Sequence, residues 1–318
     1  MKNYLFIFAI VGFISVFTTS CDKVEQIYEP TYQTELDTTL YPGIWNDYLE
    51  NEMPNFDEIT ASTQRNALVE DYTGHNCSNC PQAATVAHDL HEANPDRIFV
   101  ASIHSSPFGI SGFQQVTANY NVDFTNTQGL EMGTFFGAIP GSGFYGNPSG
   151  TVNRLTTGGE YFYPAGTWGT KANEVLSSPL KVALKSHLNY YPETKGAFLH
   201  TEVAIVDNSV TNQLGMVVYL LQDTMVAPQN VSSTYTPDYV HRDIHLKNIS
   251  GQAWGRTLTS DIQNENGKYY LDYSFIVPDE LAPTGETGAF NAGNMHVLIY
   301  VYDKVTYEVY QVVKEKFE

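Results

Sequence analysis

The sequence predicts an α/β domain followed by an all-β sandwich. Residues 67–103 have the pattern of a strand, a loop, a helix and a second strand. Beyond about residue 179, apolar residues recur at every second position in several short segments, which is typical of strands in a β-sandwich. A content of 22 Tyr and 17 Phe also favours β-rich structure. Because 318 residues exceed the usual size of one domain, we expect two, at 56–178 and 179–318.

The first residues predict export. A basic start at Lys2 precedes an apolar run over residues 4–17, which has the length of a signal-peptide core and is too short to span a membrane. Small and polar residues then lead to Cys21, although Thr18 stands where a lipoprotein signal usually has Leu. A lipoprotein signal peptidase requires a cysteine at the cleavage point, because its thiol carries the diacylglycerol. We therefore expect a signal peptide at 1–20 and an acylated Cys21 inserted in outer-membrane lipid; an ordinary secretory signal is the alternative.

Residues 21–55 predict an acidic tether between the anchor and the first domain. The segment mixes acidic residues with prolines and has low hydrophobicity, which favours an extended spacer. Within it, residues 44–49 could form a short docking helix. The formal net charge of −19, with no cluster of Lys or Arg, argues against nucleic acid as a partner.

A Cys-x-x-Cys pair stands at the start of the predicted helix. The strand at 67–72 and the loop at 73–76 precede Cys77-Ser78-Asn79-Cys80, and Pro81 suits a first helical turn because its missing N–H is not needed there. The helix that follows has its apolar residues on one face, and a second strand covers 97–103. This strand–loop–helix–strand unit makes the pair a stronger signal than its spacing alone.

The cysteine count points to a reactive pair. If Cys21 is acylated, only Cys77 and Cys80 remain, and they are too close in sequence to stabilise much of a fold. A helix N-terminus stabilises a thiolate, which would make Cys77 the attacking thiol. Cys80, one helical turn on, could then resolve the mixed disulfide. We therefore expect a redox-active Cys77–Cys80 disulfide that works without a cofactor.

This region resembles the thioredoxin superfamily, on the strand 68–72, the Cys77–Cys80 motif and Asn147-Pro148 before residues 151–153. The resemblance implies that a cis-proline, Pro148 or its rival Pro140, lies against the cysteines and shapes a groove for substrate peptides. It also implies a buried acid six residues before the first cysteine, which acts as a proton acceptor behind the second. Asp71 has that spacing, and on an alternating strand only one of Asp71 and its neighbour Glu70 should point inward. Ser78-Asn79 departs from the Gly-Pro of many thioredoxins, so the redox direction stays open.

The whole chain is also similar to the outer membrane protein 28-related family of lipoproteins. The likeness covers about residues 60 to 318 and is carried by four segments, residues 70–81, 147–154, 239–243 and 251–255. It implies a thioredoxin-like domain and a β-sandwich on an outer-membrane lipoprotein. Two functions follow: a thiol–disulfide oxidoreductase acting on exported or surface proteins, or a surface binding or adhesion protein whose thioredoxin-like domain is non-catalytic.

Three motifs have simpler interpretations. Cys77, Cys80, His88 and His91 have a spacer shorter than that of a usual zinc finger, and both histidines fall off the apolar helix face, so we expect no metal site. His75 is interpreted as a solvated loop residue rather than a thiolate partner. Residues 241–243, His-Arg-Asp, resemble a kinase catalytic loop, but without an ATP loop they predict a strand end with paired charges.

Overall fold

The computed structural model describes residues 36–264, 266–282 and 288–317. The signal peptide at 1–20, Cys21 and the tether as far as residue 35 lie outside these described residues. Within them the fold is mixed α/β, with four α-helices: α1 (Trp45–Asn51), α2 (Cys80–Ala93), α3 (Thr127–Ala138) and α4 (Trp168–Ser177).

The described residues also form thirteen strands. They are β1 (Ala67–Thr73), β2 (Ile98–His104), β3 (Ser149–Val152), β4 (Val182–Tyr191), β5 (Gly196–Ile205), β6 (Leu214–Gln222), β7 (Met225–Val231), β8 (Thr234–His241), β9 (Ile244–Asn248), β10 (Arg256–Thr257), β11 (Tyr269–Ile276), β12 (Met295–Asp303) and β13 (Val309–Lys316). The predicted strands at 67–72 and 97–103 correspond to β1 and β2, and the predicted helix after Cys80 is α2.

Eight strands form one main sheet, in the order β13-β12-β6-β9-β2-β1-β3, with β10 paired to β6. β1, β2 and β9 run parallel to one another, and the other pairings are antiparallel. Strands from both sides of the expected boundary at residue 179 therefore share one sheet, because β9 pairs with both β2 and β6. The described residues belong to one compact unit. The division into domains at 56–178 and 179–318 stays a prediction, namely that each range is a folding unit of its own.

Both faces of the main sheet are covered. On one face, α2 and α4 pack against β1–β3, and the three-stranded sheet β11-β5-β4 packs against β6 and β12. On the other face, α3 packs against a second apolar layer. Because side chains alternate along a strand, Met216 and Val218 of β6 belong to the first layer, while Val217 and Tyr219 belong to the second.

This double coverage corrects one expectation from the sequence. Only one of Glu70 and Asp71 was expected to point inward, yet both side chains are buried in β1. Asp71 shares the face of Val69, which packs with α2, whereas Glu70 shares the face of Leu68 and Tyr72. An alternating strand has no solvent side when both faces of its sheet are covered.

The described end of the expected tether is docked rather than extended. Helix α1 corresponds to the short helix expected near residues 44–49. Leu40 and Tyr48 pack against Phe198 of β5, and the Tyr48 hydroxyl makes a hydrogen bond with Nε2 of His200.

Candidate functional site

Cys77 and Cys80 form a disulfide, with an S–S distance of 2.11 Å. Helix α2 begins at Cys80, with Pro81 in its first turn as expected. Cys77 lies just before the helix, in a turn where its N–H donates to the carbonyl of Gly74. Cys77, the attacking cysteine of the sequence-based hypothesis, thus lies beside the helix N-terminus, where the helix dipole favours a thiolate.

A cavity of about 280 Å³ lies behind Cys80. Its wall includes Asp71 and Thr73 from β1, His104 from β2, and residues 239–243 at the end of β8. The β1–α2 unit positions Asp71 and Cys80 together, because Asp71 faces the α2 side of the sheet. The spacing of six residues before Cys77 therefore identified an acid that lines the same cavity as the second cysteine.

Asp71 has an unusual environment for a carboxyl group. The residue is 1% exposed, and neither of its oxygens has a hydrogen-bond partner among the described residues. Burial raises the pKa of Asp71 to about 7, because nothing compensates the loss of hydration of the charged form. At neutral pH this carboxyl can therefore both release and accept a proton.

Two histidines, His104 and His241, line the same cavity. Burial lowers the pKa of His104 well below its usual range and the pKa of His241 to about 4, so both rings are neutral at pH 7. Phe124 packs against both, with ring-centre distances of 4.5 and 4.6 Å. The sequence singled out His241 only within the resemblance segment 239–243 and the His-Arg-Asp motif, without a role in this cavity, and it gave no signal for His104.

One pair of opposite charges, Arg242 with Asp223, lies at the strand end of residues 241–243, whereas the partner of Asp243 is His296, whose pKa burial lowers well below its usual range. Arg242 lies 3.8 Å from the Asp223 carboxylate, and Asp243 lies 3.5 Å from Nε2 of His296. Burial raises the pKa of Asp243 to about 7, with a further contribution from Asp223.

Pro148 follows a cis peptide bond, whereas Pro140 does not. The side chain of Asn147 donates to the carbonyls of Tyr72 and Ser105, at 2.9 and 2.8 Å, and so fixes this loop against the end of β1. The next residue, Ser149, begins β3 opposite Tyr72. This proline therefore lies beside the strand that carries Asp71 and leads to the cysteines.

The β7–β8 hairpin lies over the cysteine loop, which the sequence did not predict. Asn230 and Ser232 donate their N–H groups to the carbonyls of His75 and Ser78, at 2.8 and 2.9 Å. Nε2 of Gln229 donates to the carbonyl of Cys77 at 3.1 Å. Cys77 is consequently only 2% exposed.

His75 is not the solvated loop residue expected from the sequence. It is buried, its ring stacks on Tyr120 at 5.6 Å, and its Nε2 bonds with the carbonyl of Gln115. The segment 111–124 and the hairpin enclose it, so burial lowers its pKa.

The other face of β1 carries a buried ion pair. Arg154 donates to both carboxylate oxygens of Glu70, at 2.7 and 2.8 Å, and both side chains are fully buried. Hydroxyl groups of Tyr219 and Tyr300 complete the network. Since these tyrosines come from β6 and β12, the network joins the first part of the chain to the second. This gives a structural role to Arg154, the last residue of the resemblance segment 147–154.

The geometry does not favour the zinc alternative. Both sulfurs are in the disulfide, and Nδ1 of His91 bonds with the carbonyl of Ile98 at 2.6 Å. Across the described ranges, no three His, Cys, Asp or Glu side chains are grouped so as to hold a metal ion.

Comparison with solved structures identifies a similar fold. HBP35 of Porphyromonas gingivalis matches with a TM-score of 0.58 and 17% sequence identity, over 81% of this chain and 77% of that one. A domain of the outer membrane lipoprotein Omp28 from the same organism matches at 20% identity over 43% of this chain and 88% of that one, with a TM-score of 0.29, which does not establish a shared fold. A search of curated proteins gave no match.

The family assignment rests on the second part of the chain. Residues 142–318 match the family described as outer membrane protein Omp28, a range that includes Pro148, Arg154 and the β7–β8 hairpin but not the cysteines. None of the helices in the described ranges is both long and apolar enough to cross a membrane. Because the match covers more than half of the chain, this protein belongs to the Omp28 family and is an outer membrane protein.

Proposed function

We propose that this protein is a thiol–disulfide oxidoreductase that acts on exported or surface proteins at the outer membrane. The observation that carries the proposal is the disulfide at the start of α2 together with a buried Asp71, without a hydrogen-bond partner among the described residues, that lines the same cavity as Cys80. The parallel β1–α2–β2 unit and cis-Pro148 next to antiparallel β3 support a thioredoxin-like arrangement for residues 56–178.

The exchange proceeds in two displacement steps. A partner thiolate attacks Sγ of Cys77, the Cys77–Cys80 bond breaks, and Cys80 leaves as a thiolate that takes up a proton from Asp71. A second partner thiolate then attacks the partner sulfur of the mixed disulfide and releases Cys77. The partner dithiol loses two electrons and two protons: the cysteine pair gains the electrons, one proton restores Asp71, and the other goes to the Cys77 thiolate or to solvent. The same steps in reverse reduce a partner disulfide.

Asp71 and Pro148 assist the cysteines in this proposal. With a pKa of about 7, Asp71 can protonate the Cys80 thiolate in one direction and deprotonate the Cys80 thiol in the other. Pro148 would shape the groove that holds the partner polypeptide, the role that the thioredoxin resemblance implies.

Trapping of mixed disulfides tests the proposal. Cys80→Ser removes the resolving thiol, so mixed disulfides between Cys77 and envelope proteins should accumulate and disappear on reduction. Cys77→Ser is the matched control and should trap nothing, because the proposal assigns the attack to Cys77, whereas Cys80, the first residue of α2, lines the cavity behind it. Identical behaviour of the two variants, with no trapped partner, would overturn the proposal.

A second candidate function is a binding or adhesion protein with a structural disulfide. The 2% exposure of Cys77 favours it, because a buried sulfur cannot meet a partner without movement of its surroundings. This candidate predicts that both single variants lose stability equally and that the natural protein does not accelerate the reduction of insulin by dithiothreitol.

Anchoring through an acylated Cys21 is also part of the proposal. Cys21→Ala should abolish palmitate labelling and release the protein from the membrane fraction. Ser20→Ala, which keeps a small residue before the cleavage point, is the matched control and should retain the label. Unchanged labelling of Cys21→Ala would exclude a lipid anchor at this residue.

A further inference from the structure

The β7–β8 hairpin donates hydrogen bonds to carbonyl groups on both sides of Cys77. Backbone N–H groups of Asn230 and Ser232 bond to residues 75 and 78, and Nε2 of Gln229 bonds to Cys77 and, at 3.3 Å, to Gly74. The hairpin therefore binds the cysteine loop as an added polypeptide would, through main-chain hydrogen bonds.

The hairpin lies outside the main sheet and is held by packing at its base and by its hydrogen bonds to the cysteine loop. Among the described strands, β7 and β8 pair only with each other. A two-stranded hairpin is marginally stable by itself, so its position depends on a few contacts. Met225 and Ala227 pack with Phe124 at its base, whereas Tyr235 and most of β8 are exposed.

The turn of the hairpin is also poorly suited to its conformation. Val231 pairs with Thr234, so Ser232 and Ser233 form a two-residue loop, with φ of 50° and 67°. Two-residue turns of this kind favour Asn and Gly, because other residues adopt positive φ at a cost in free energy. The sequence therefore leaves this turn less stable than it could be.

We propose that the β7–β8 hairpin is a lid over the Cys77–Cys80 disulfide, which a partner polypeptide must displace before thiol exchange. The inference rests on the proposed function and concerns its regulation. Local opening of the hairpin exposes Cys77 while the main sheet stays folded, since no described strand of that sheet pairs with β7 or β8. With such a lid, Cys77 is buried when the hairpin is closed and can react when the hairpin is open.

The rate of disulfide reduction by dithiothreitol tests the lid in both directions. Gln229→Ala removes the side-chain bonds to the cysteine loop and should make reduction roughly three- to tenfold faster. Ser232→Asn combined with Ser233→Gly keeps the backbone donors and improves the turn, so reduction should become roughly two- to fivefold slower. Gln263→Ala, which removes a comparable bond to the carbonyl of Gly267 in another turn, is the matched control and should leave the rate unchanged.

The dependence on urea separates local opening from global unfolding. Opening of a lid exposes little surface, so low concentrations of urea should change the reduction rate far less than they change the rate of unfolding. Rates that are equal in all three variants, or that follow global unfolding, would overturn the lid.

The two proposals can fail separately. Equal reduction rates together with trapping by Cys80→Ser would reject the lid and keep the oxidoreductase. Altered reduction rates without any trapped partner would retain the hairpin as a cover over a structural disulfide and reject the oxidoreductase.

Discussion

Glu70 and Asp71 are adjacent carboxylic acids in β1, both buried, and they have opposite electrostatics. Burial alone would raise the pKa of Glu70, but the charge of Arg154 and hydrogen bonds from Arg154, Tyr219 and Thr151 hold it below its usual range. Burial raises the pKa of Asp71 to about 7 without any such partner. Two neighbouring residues of one strand thus have different roles: Glu70 joins two parts of the fold, and Asp71 is free to exchange protons.

The comparison shows that burial does not determine the role of a charged group. Both carboxylate oxygens of Glu70 accept hydrogen bonds and its charge is offset by Arg154, so removal of Arg154 leaves an uncompensated charge. An unpaired buried acid destabilises the fold when ionised, and such groups concentrate at functional sites. The α3 face of β1 is therefore structural, and the α2 face is the candidate site.

The largest expected effect is the loss of one partner of the ion pair. Arg154→Met should lower the free energy of unfolding by about 3–5 kcal/mol, because the buried Glu70 carboxylate then lacks its counter-charge. Urea unfolding at pH 7 measures the change. Lys171→Met, which breaks the surface pair with Glu174, is the control and should cost about 0–1 kcal/mol. Equal effects of the two substitutions would show that the pair does not join the two parts of the fold.

The next effect has the opposite sign and depends on pH. The pKa of Asp71 is raised in the folded state, so its contribution to stability is fully present below the unfolded pKa near 4 and is lost as the pH rises towards 7. Asp71→Asn should remove this loss. The free energy of unfolding of the variant, relative to that of the natural protein, should therefore rise by up to about 4 kcal/mol between pH 4 and pH 8.

Urea unfolding at each pH, with the disulfide intact, measures that difference. Asp243, whose pKa is also raised to about 7, should leave the variant with part of the slope. A difference between variant and natural protein that is constant from pH 4 to pH 8 would mean that Asp71 is solvated or paired.

The smallest effect concerns the hydroxyl groups around the ion pair. Tyr300→Phe removes an acceptor of Arg154 at 2.8 Å and a donor to Tyr219 at 2.9 Å, and should cost about 1–2 kcal/mol with little dependence on pH between 6 and 8. Tyr145→Phe is the control, because its side chain is exposed and should be neutral. No loss in Tyr300→Phe would indicate that Arg154 and Glu70 satisfy each other alone.

Local patterns in the sequence predicted the parts of the site that are close together in the chain. The strand–loop–helix pattern placed the cysteines at the start of α2, and Pro81 marked the first helical turn. Spacing to Cys77 and the thioredoxin resemblance singled out Asp71 and Pro148, which the structure places beside the cavity and after a cis bond. These features depend on backbone geometry over a few residues, and periodicity and turn chemistry report it directly.

Contacts between distant segments were decided only by the tertiary structure. The sequence did not indicate that β9 would bridge the two parts of the sheet, that His75 would be buried, or that the β7–β8 hairpin would cover the cysteines. It also did not indicate whether Glu70 or Asp71 would form an ion pair with Arg154. Alternation along a strand places two residues on opposite faces but does not specify what covers each face, because the covering helices and strands come from residues far along the chain.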